Sequence, residues 1–109
     1  RRILKPDGRL VFMVPFLHKV HGDPDDYFRY TESGLRVLFT DAGFSLKSVR
    51  VLGRGPFTAA LAQWQTLVPG WIAVPFFALS FVADKFYARQ RPHLAKLWPL
   101  GYLVEATAR

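Results

Sequence analysis

From Gly55 to Ala83 the chain reads "GPFTAALAQWQTLVPGWIAVPFFALSFVA", without one charged side chain. So much apolar surface cannot be left in water, so protein or lipid must cover it, and any fold has to provide that cover. A membrane span needs about 20 predominantly apolar residues. Here Pro69 and Gly70 break the run, Gln63 and Gln65 interrupt its first half, and the piece from Trp71 to Ala83 is too short to span as a helix. The spacing predicts two helices instead. One covers 57–68, with Phe57, Ala60, Leu61, Trp64 and Val68 on one side; the other runs from about Pro75 to Arg89 with Pro75 in its first turn. In the second, Phe76, Phe77, Leu79, Phe81 and Val82 are spread around most of the circumference, so more than one neighbour is required to cover it. Two arrangements satisfy this. The pair is either a helical cap packed on the domain, or an interfacial hairpin whose Trp and Phe side chains enter lipid while Lys85, Arg89 and Arg91 meet anionic headgroups.

The rest of the chain sets the frame. Its 109 residues suffice for one domain or half of a larger one, and half of them are hydrophobic, which excludes general disorder. With no cysteine there is neither a disulfide framework nor a thiolate metal site, as suits a reducing compartment, so a cytoplasmic location, with contact at the membrane periphery as an option, is expected. The opening "RRILKPDGRL" has no initiating Met and no signal-peptide pattern, and reads as the end of a helix; a C-terminal fragment is expected. The net charge of +7 raises the question of nucleic acid. Its distribution argues against that partner, because the basic residues of the first half are scattered and the stretch from Asp23 to Glu32 is acidic. The one basic cluster is "KFYARQRPHLAK", Lys85 to Lys96.

Local signals place the remaining elements. "KPDGR" is a turn in which Pro6 presets φ, Asp7 bonds its own backbone and Gly8 accepts positive φ. The strand that follows, Leu10 to Val14, is apolar on both faces, the pattern of a central strand with helices over each. A helix capped by Thr31, with Glu32 in its first turn and Leu35, Leu38, Phe39 and Ala42 at helical spacing, ends at Gly43, where Phe44 folds back on Phe39. "SLKSVRVL" alternates as a half-exposed strand near a sheet edge. "LGYLVEATA" closes the chain as another strand, setting Tyr102, Val104 and Ala106 against Leu103, Glu105 and Thr107.

In open α/β sheets ligands bind beyond the carboxyl ends of the strands, where the loop 17–30 begins. Its chemistry is not specific. His18, His21 and Asp23 are metal-ligand types, yet their spacing matches no established zinc pattern and no metal is expected. Asp23 and Pro24 suit a turn, and at least two of Tyr27, Phe28, Arg29 and Tyr30 suit anchoring the loop to a core. The chain has no nucleophile elbow and no phosphate-cradling glycine loop.

The series "RRILKPDGRLVFMVPF", "HGDPDDYFRYT", a capped helix and "DAGF" resembles the C-terminal half of a class I S-adenosylmethionine-dependent methyltransferase of the type 11-like kind, with its "LKPGG" turn before the fifth strand and "AGF" before the sixth. Asp7 stands where that family more often has glycine. The likeness covers residues 1 to about 53, and the last strand is similar to the seventh, which in that fold runs antiparallel between the fifth and sixth. The resemblance implies a Rossmann-like α/β fold in three parts: 1–54, the strand-loop-helix-strand of the core; 55–99, an apolar helical insertion and connector; and 100–109, the final strand. It implies S-adenosylmethionine as cofactor, held by a glycine-rich loop and an acidic residue expected upstream of Arg1, and a small-molecule or lipid-like acceptor. It places His21, then His18, as candidates for the base, and Asp25, Tyr27, Arg29 and Tyr30 on the acceptor side. Two rival readings stand beside it. One is a noncatalytic module whose apolar insertion, 57–89, contacts membrane, a partner or a second copy; the other is a metal-dependent hydrolase built on the two histidines.

Overall fold

The structure, a computed structural model, describes residues 4–20, 22 and 25–108. The elements run β1 (Arg9–Pro15), α1 (Glu32–Asp41), β2 (Phe44–Leu52), α2 (Pro56–Trp64), α3 (Gly70–Gln90), α4 (Pro92–Ala95) and β3 (Gly101–Ala108). They form an α/β protein with a three-stranded antiparallel sheet in the order β1-β3-β2, and they divide into two compact units.

The first unit holds 1–16, 27–51 and 101–109. Its core is one face of the sheet covered by α1. Register decides which residues face it: Leu10 pairs with Ala106, Phe12 with Val104 and Val14 with Tyr102, and of the β1 residues Val14 is buried while Phe12 stays 44% exposed. Leu35 and Phe39 of α1 pack there, joined by Phe44. The alternation of β3 came out as expected, with Tyr102, Val104, Ala106 and Ala108 buried. So did the helix. Thr31 Oγ1 accepts from the Gly34 backbone N–H at 3.1 Å, and the helix ends before Gly43, whose φ is 77°. That turn sets the Phe44 ring 5.7 Å from Phe39.

Two expectations need correction here. β1 is not covered on both faces: Val11 and Met13 are exposed, Met13 at 68%, because β1 lies at the sheet edge and α1 covers the opposite face. In the "KPDGR" turn the positive φ, 59°, belongs to Asp7, not Gly8. Gly8 serves by close approach: its N–H donates to the Lys5 carbonyl at 2.8 Å, and a Cβ there would lie 2.7 Å from that oxygen. On the bare face, Glu105 of β3 accepts from Arg50 of β2 at 2.6 Å and faces Arg9 of β1 at 3.4 Å. These exposed pairs mark register more than they add stability. The expected helix end at residues 1–4 falls almost wholly outside the described residues.

The second unit holds 17–26 and 52–100. Two helices fill the uncharged run as expected, with different bounds. α2 ends at Trp64, not Val68, and α3 begins at Gly70, so Pro75 sits inside the helix. Pro69 explains the shift, because it takes the N-cap position and its carbonyl accepts from the Ile72 and Ala73 N–H groups, both at 3.0 Å. Pro75 is exposed and has no N–H to donate to the Trp71 carbonyl one turn back. A buried carboxylate joins the two helices. Asp84, 0% exposed, accepts from the Phe57 N–H at 3.0 Å and the Thr58 N–H at 2.8 Å, capping α2 from α3.

Candidate functional site

The loop after β1 contributes to both units, and each part is built differently. In the second unit, Leu17 to Lys19 lie along α2, held by Gln63, whose side-chain amide donates to the Leu17 carbonyl at 3.1 Å. Leu17, His18, Lys19, Gln63, Thr66 and Phe77 line a cavity of about 230 Å³, room for a small polar group. His18 is exposed there with Nδ1 3.0 Å from the Lys19 carbonyl oxygen. In the tautomer that donates this bond, Nε2 carries the lone pair, which is the form a base requires. Asp25 is exposed in the same unit. His21, the first candidate for the base, lies outside the described residues, as do Asp23 and Pro24.

In the first unit Tyr27, Phe28 and Tyr30 form a short aromatic ladder, with ring centroids 6.3 Å apart for Tyr27 and Phe28 and 5.7 Å for Phe28 and Tyr30. Only its last ring reaches the core. Tyr30 packs against the core cluster, whereas Tyr27 at 76% and Phe28 are exposed, so one of the three rings anchors the loop. Arg29 is half-buried and donates to the Phe28 carbonyl at 3.3 Å. Tyr102 is buried beside this segment of its unit, with its ring edge-on to Phe16 at 6.0 Å. Burial holds the Tyr102 hydroxyl above its ordinary value of 10.0; a backbone hydrogen bond at Glu32 opposes the shift and the Glu32 charge adds to it. It is a neutral phenol at physiological pH and no candidate for a base.

Among the described residues no group of three His, Cys, Asp or Glu side chains converges in a way that would hold a metal ion. The larger concavity was not anticipated from sequence. It is an open groove of about 950 Å³ between α2 and α3, lined by Phe57, Ala60, Trp64, Phe76, Leu79 and Trp98 among others, almost wholly apolar. Among the described residues, none of the candidates His18, Asp25, Tyr27, Arg29 and Tyr30 borders it. Its signal in the sequence was the uncharged run itself. No protein-family model, no curated protein and no solved structure matches the chain.

Proposed function

We propose that the chain is the C-terminal part of a class I S-adenosylmethionine-dependent methyltransferase, acting on a small-molecule or lipid-like acceptor. The observation that carries the reading is the strand order: β1, a helix crossover through α1, then β2, with the last strand, β3, antiparallel between them. That is the order in which the fifth, seventh and sixth strands of such a sheet would lie, with the "KPDG" turn and "AGF" at the corresponding ends. β1 adds support. It has the composition of a central strand but an open edge and bare Val11 and Met13, as a strand would if a neighbouring strand and the helix covering that face came from an upstream half.

On this reading the fold's upstream half would hold the cofactor, whose sulfonium supplies the methyl group. The residues of this chain would orient the acceptor and, where it is a hydroxyl or protonated nitrogen, take up its proton. The histidines of the loop are the candidate bases, His21 first and His18 second. In the enzyme that includes the upstream half, His21→Ala is expected to lower turnover about 100-fold, with His18→Ala giving a smaller loss and neither changing cofactor affinity. Unchanged steady-state kinetics in both variants would remove the loop from the chemistry. Loss of activity on metal chelation would favour the hydrolase instead.

A further inference from the structure

The helices of the second unit are inside out. In α3 the inward face is made by Ala73, Ser80 and Asp84, all buried, with Phe77 and Tyr87 half-buried; the outward face carries Trp71, Val74, Leu79, Val82 and Phe86, all exposed. In α2 and the turn after it, Thr58 and Ala59 are buried while Phe57, Ala60, Trp64 and Leu67, at helical spacing, face out. Of the side of 57–68 that groups Phe57, Ala60, Leu61, Trp64 and Val68, three residues are exposed and Leu61 and Val68 are half-buried. Soluble helices have the reverse polarity. The groove between α2 and α3 is lined from both helices, by Phe57, Ala60 and Trp64 of α2 and by Phe76 and Leu79 of α3.

Charge indicates what covers them. Between Gly55 and Leu100 the one acidic residue is Asp84, and it is fully buried at the α2 N-terminus. The charged side chains exposed on this segment are therefore all positive, Lys85, Arg89, Arg91 and Lys96, none in an ion pair among the described residues. Lys85 and Arg89 lie on the same side of α3 as Val82 and Phe86, at the end remote from Trp71. An apolar face on helices whose exposed charges are all positive fits the interface of an anionic bilayer. A second copy would bring the same cations together. Crossing the bilayer is a different matter: α3, with 21 residues, is long and apolar enough by length and composition, but its uncharged part, Gly70 to Ala83, rises only about 21 Å against about 30 Å of hydrocarbon.

We infer that the outward faces of α2 and α3 dock in the plane of an anionic phospholipid membrane, with Trp64, Leu67, Trp71 and Phe86 in the acyl region and Lys85, Arg89 and Arg91 at the headgroup phosphates. This goes beyond methyl transfer and does not depend on it. The test is flotation of the chain with vesicles of phosphatidylcholine alone and of an equal mixture with phosphatidylglycerol, together with quenching of tryptophan fluorescence by brominated acyl chains. Flotation with the mixed vesicles, and quenching, are expected. Leu67→Ser with Trp71→Ser, at positions 75% and 79% exposed, should weaken partitioning about tenfold or more while leaving the circular dichroism melt unchanged. Lys85→Glu with Arg89→Glu should cost about fivefold per charge on mixed vesicles only. Three results would each overturn the inference: no flotation with mixed vesicles, flotation unaffected by either double variant, or a stable dimer in sedimentation equilibrium that Leu67→Ser with Trp71→Ser dissociates.

Discussion

Replacing Asp84 by Ala is expected to destabilise the helical unit by about 3 kcal/mol, the largest loss from any single polar side chain in it. The carboxylate is fully buried and accepts two backbone N–H groups, those of Phe57 and Thr58, at 3.0 and 2.8 Å. Alanine leaves both donors without an acceptor where water cannot readily replace it, and removes the negative charge from the α2 N-terminus. Asp84→Asn should lose less, because the amide oxygen still serves one donor. Gly55 completes the arrangement: a Cβ there would meet Asp84 Oδ1 at 2.5 Å, so Gly55→Ala should displace the carboxylate and reproduce part of the loss. Urea titration followed by tryptophan fluorescence measures all three, since Trp64, Trp71 and Trp98 lie in this unit. An Asp84→Ala midpoint equal to that of the wild type would show that the cap contributes nothing.

The second large effect belongs to the sheet unit. Leu35 is 0% exposed in a core shared with Phe39, Phe44, Val104 and Tyr102, and truncation to Ala leaves a cavity that these neighbours cannot fill without leaving their rotamers. Leu35→Ala is expected to cost about 2–5 kcal/mol, while Val37→Ala, exposed on the same helix, should stay within about 0.5 kcal/mol. Near-ultraviolet circular dichroism across a thermal melt reports on the tyrosines of this unit. Equal melts for the two variants would mean that α1 does not pack as described.

What was legible in the sequence were features written locally. Thr31, Gly43 and Phe44 fix both ends of α1 through contacts within a few residues, and the period of β3 sorts Tyr102, Val104 and Ala106 from Glu105 and Thr107. What was not legible depended on distant partners. The sequence shows that Phe57, Trp64 and Trp71 lie along apolar helices, but not that those faces point outward, which is settled by Asp84 meeting the α2 N-terminus across 26 residues of chain. Similarly, the two apolar faces of β1 were plain, whereas their cover depends on what lies beside the strand, and the structure leaves Val11 and Met13 bare. Two prolines competed for the start of α3, and local rules favoured Pro75 for its first turn where Pro69 takes the cap. For the candidate site, position after β1 was readable but function was not. His18 is found on a backbone carbonyl beside a small cavity, and the aromatic ladder of Tyr27, Phe28 and Tyr30 reaches the core through one ring alone.

The proposal of a methyltransferase C-terminal part stands on strand order and on a resemblance in which every cofactor contact belongs to the upstream half. Isothermal titration calorimetry with S-adenosylmethionine tests it most directly, on the 109-residue chain and on the protein extended by that upstream half. Micromolar binding by the extended protein is expected, with no heat of binding from the chain alone. Micromolar binding by the chain alone, or none by the extended protein, would contradict it.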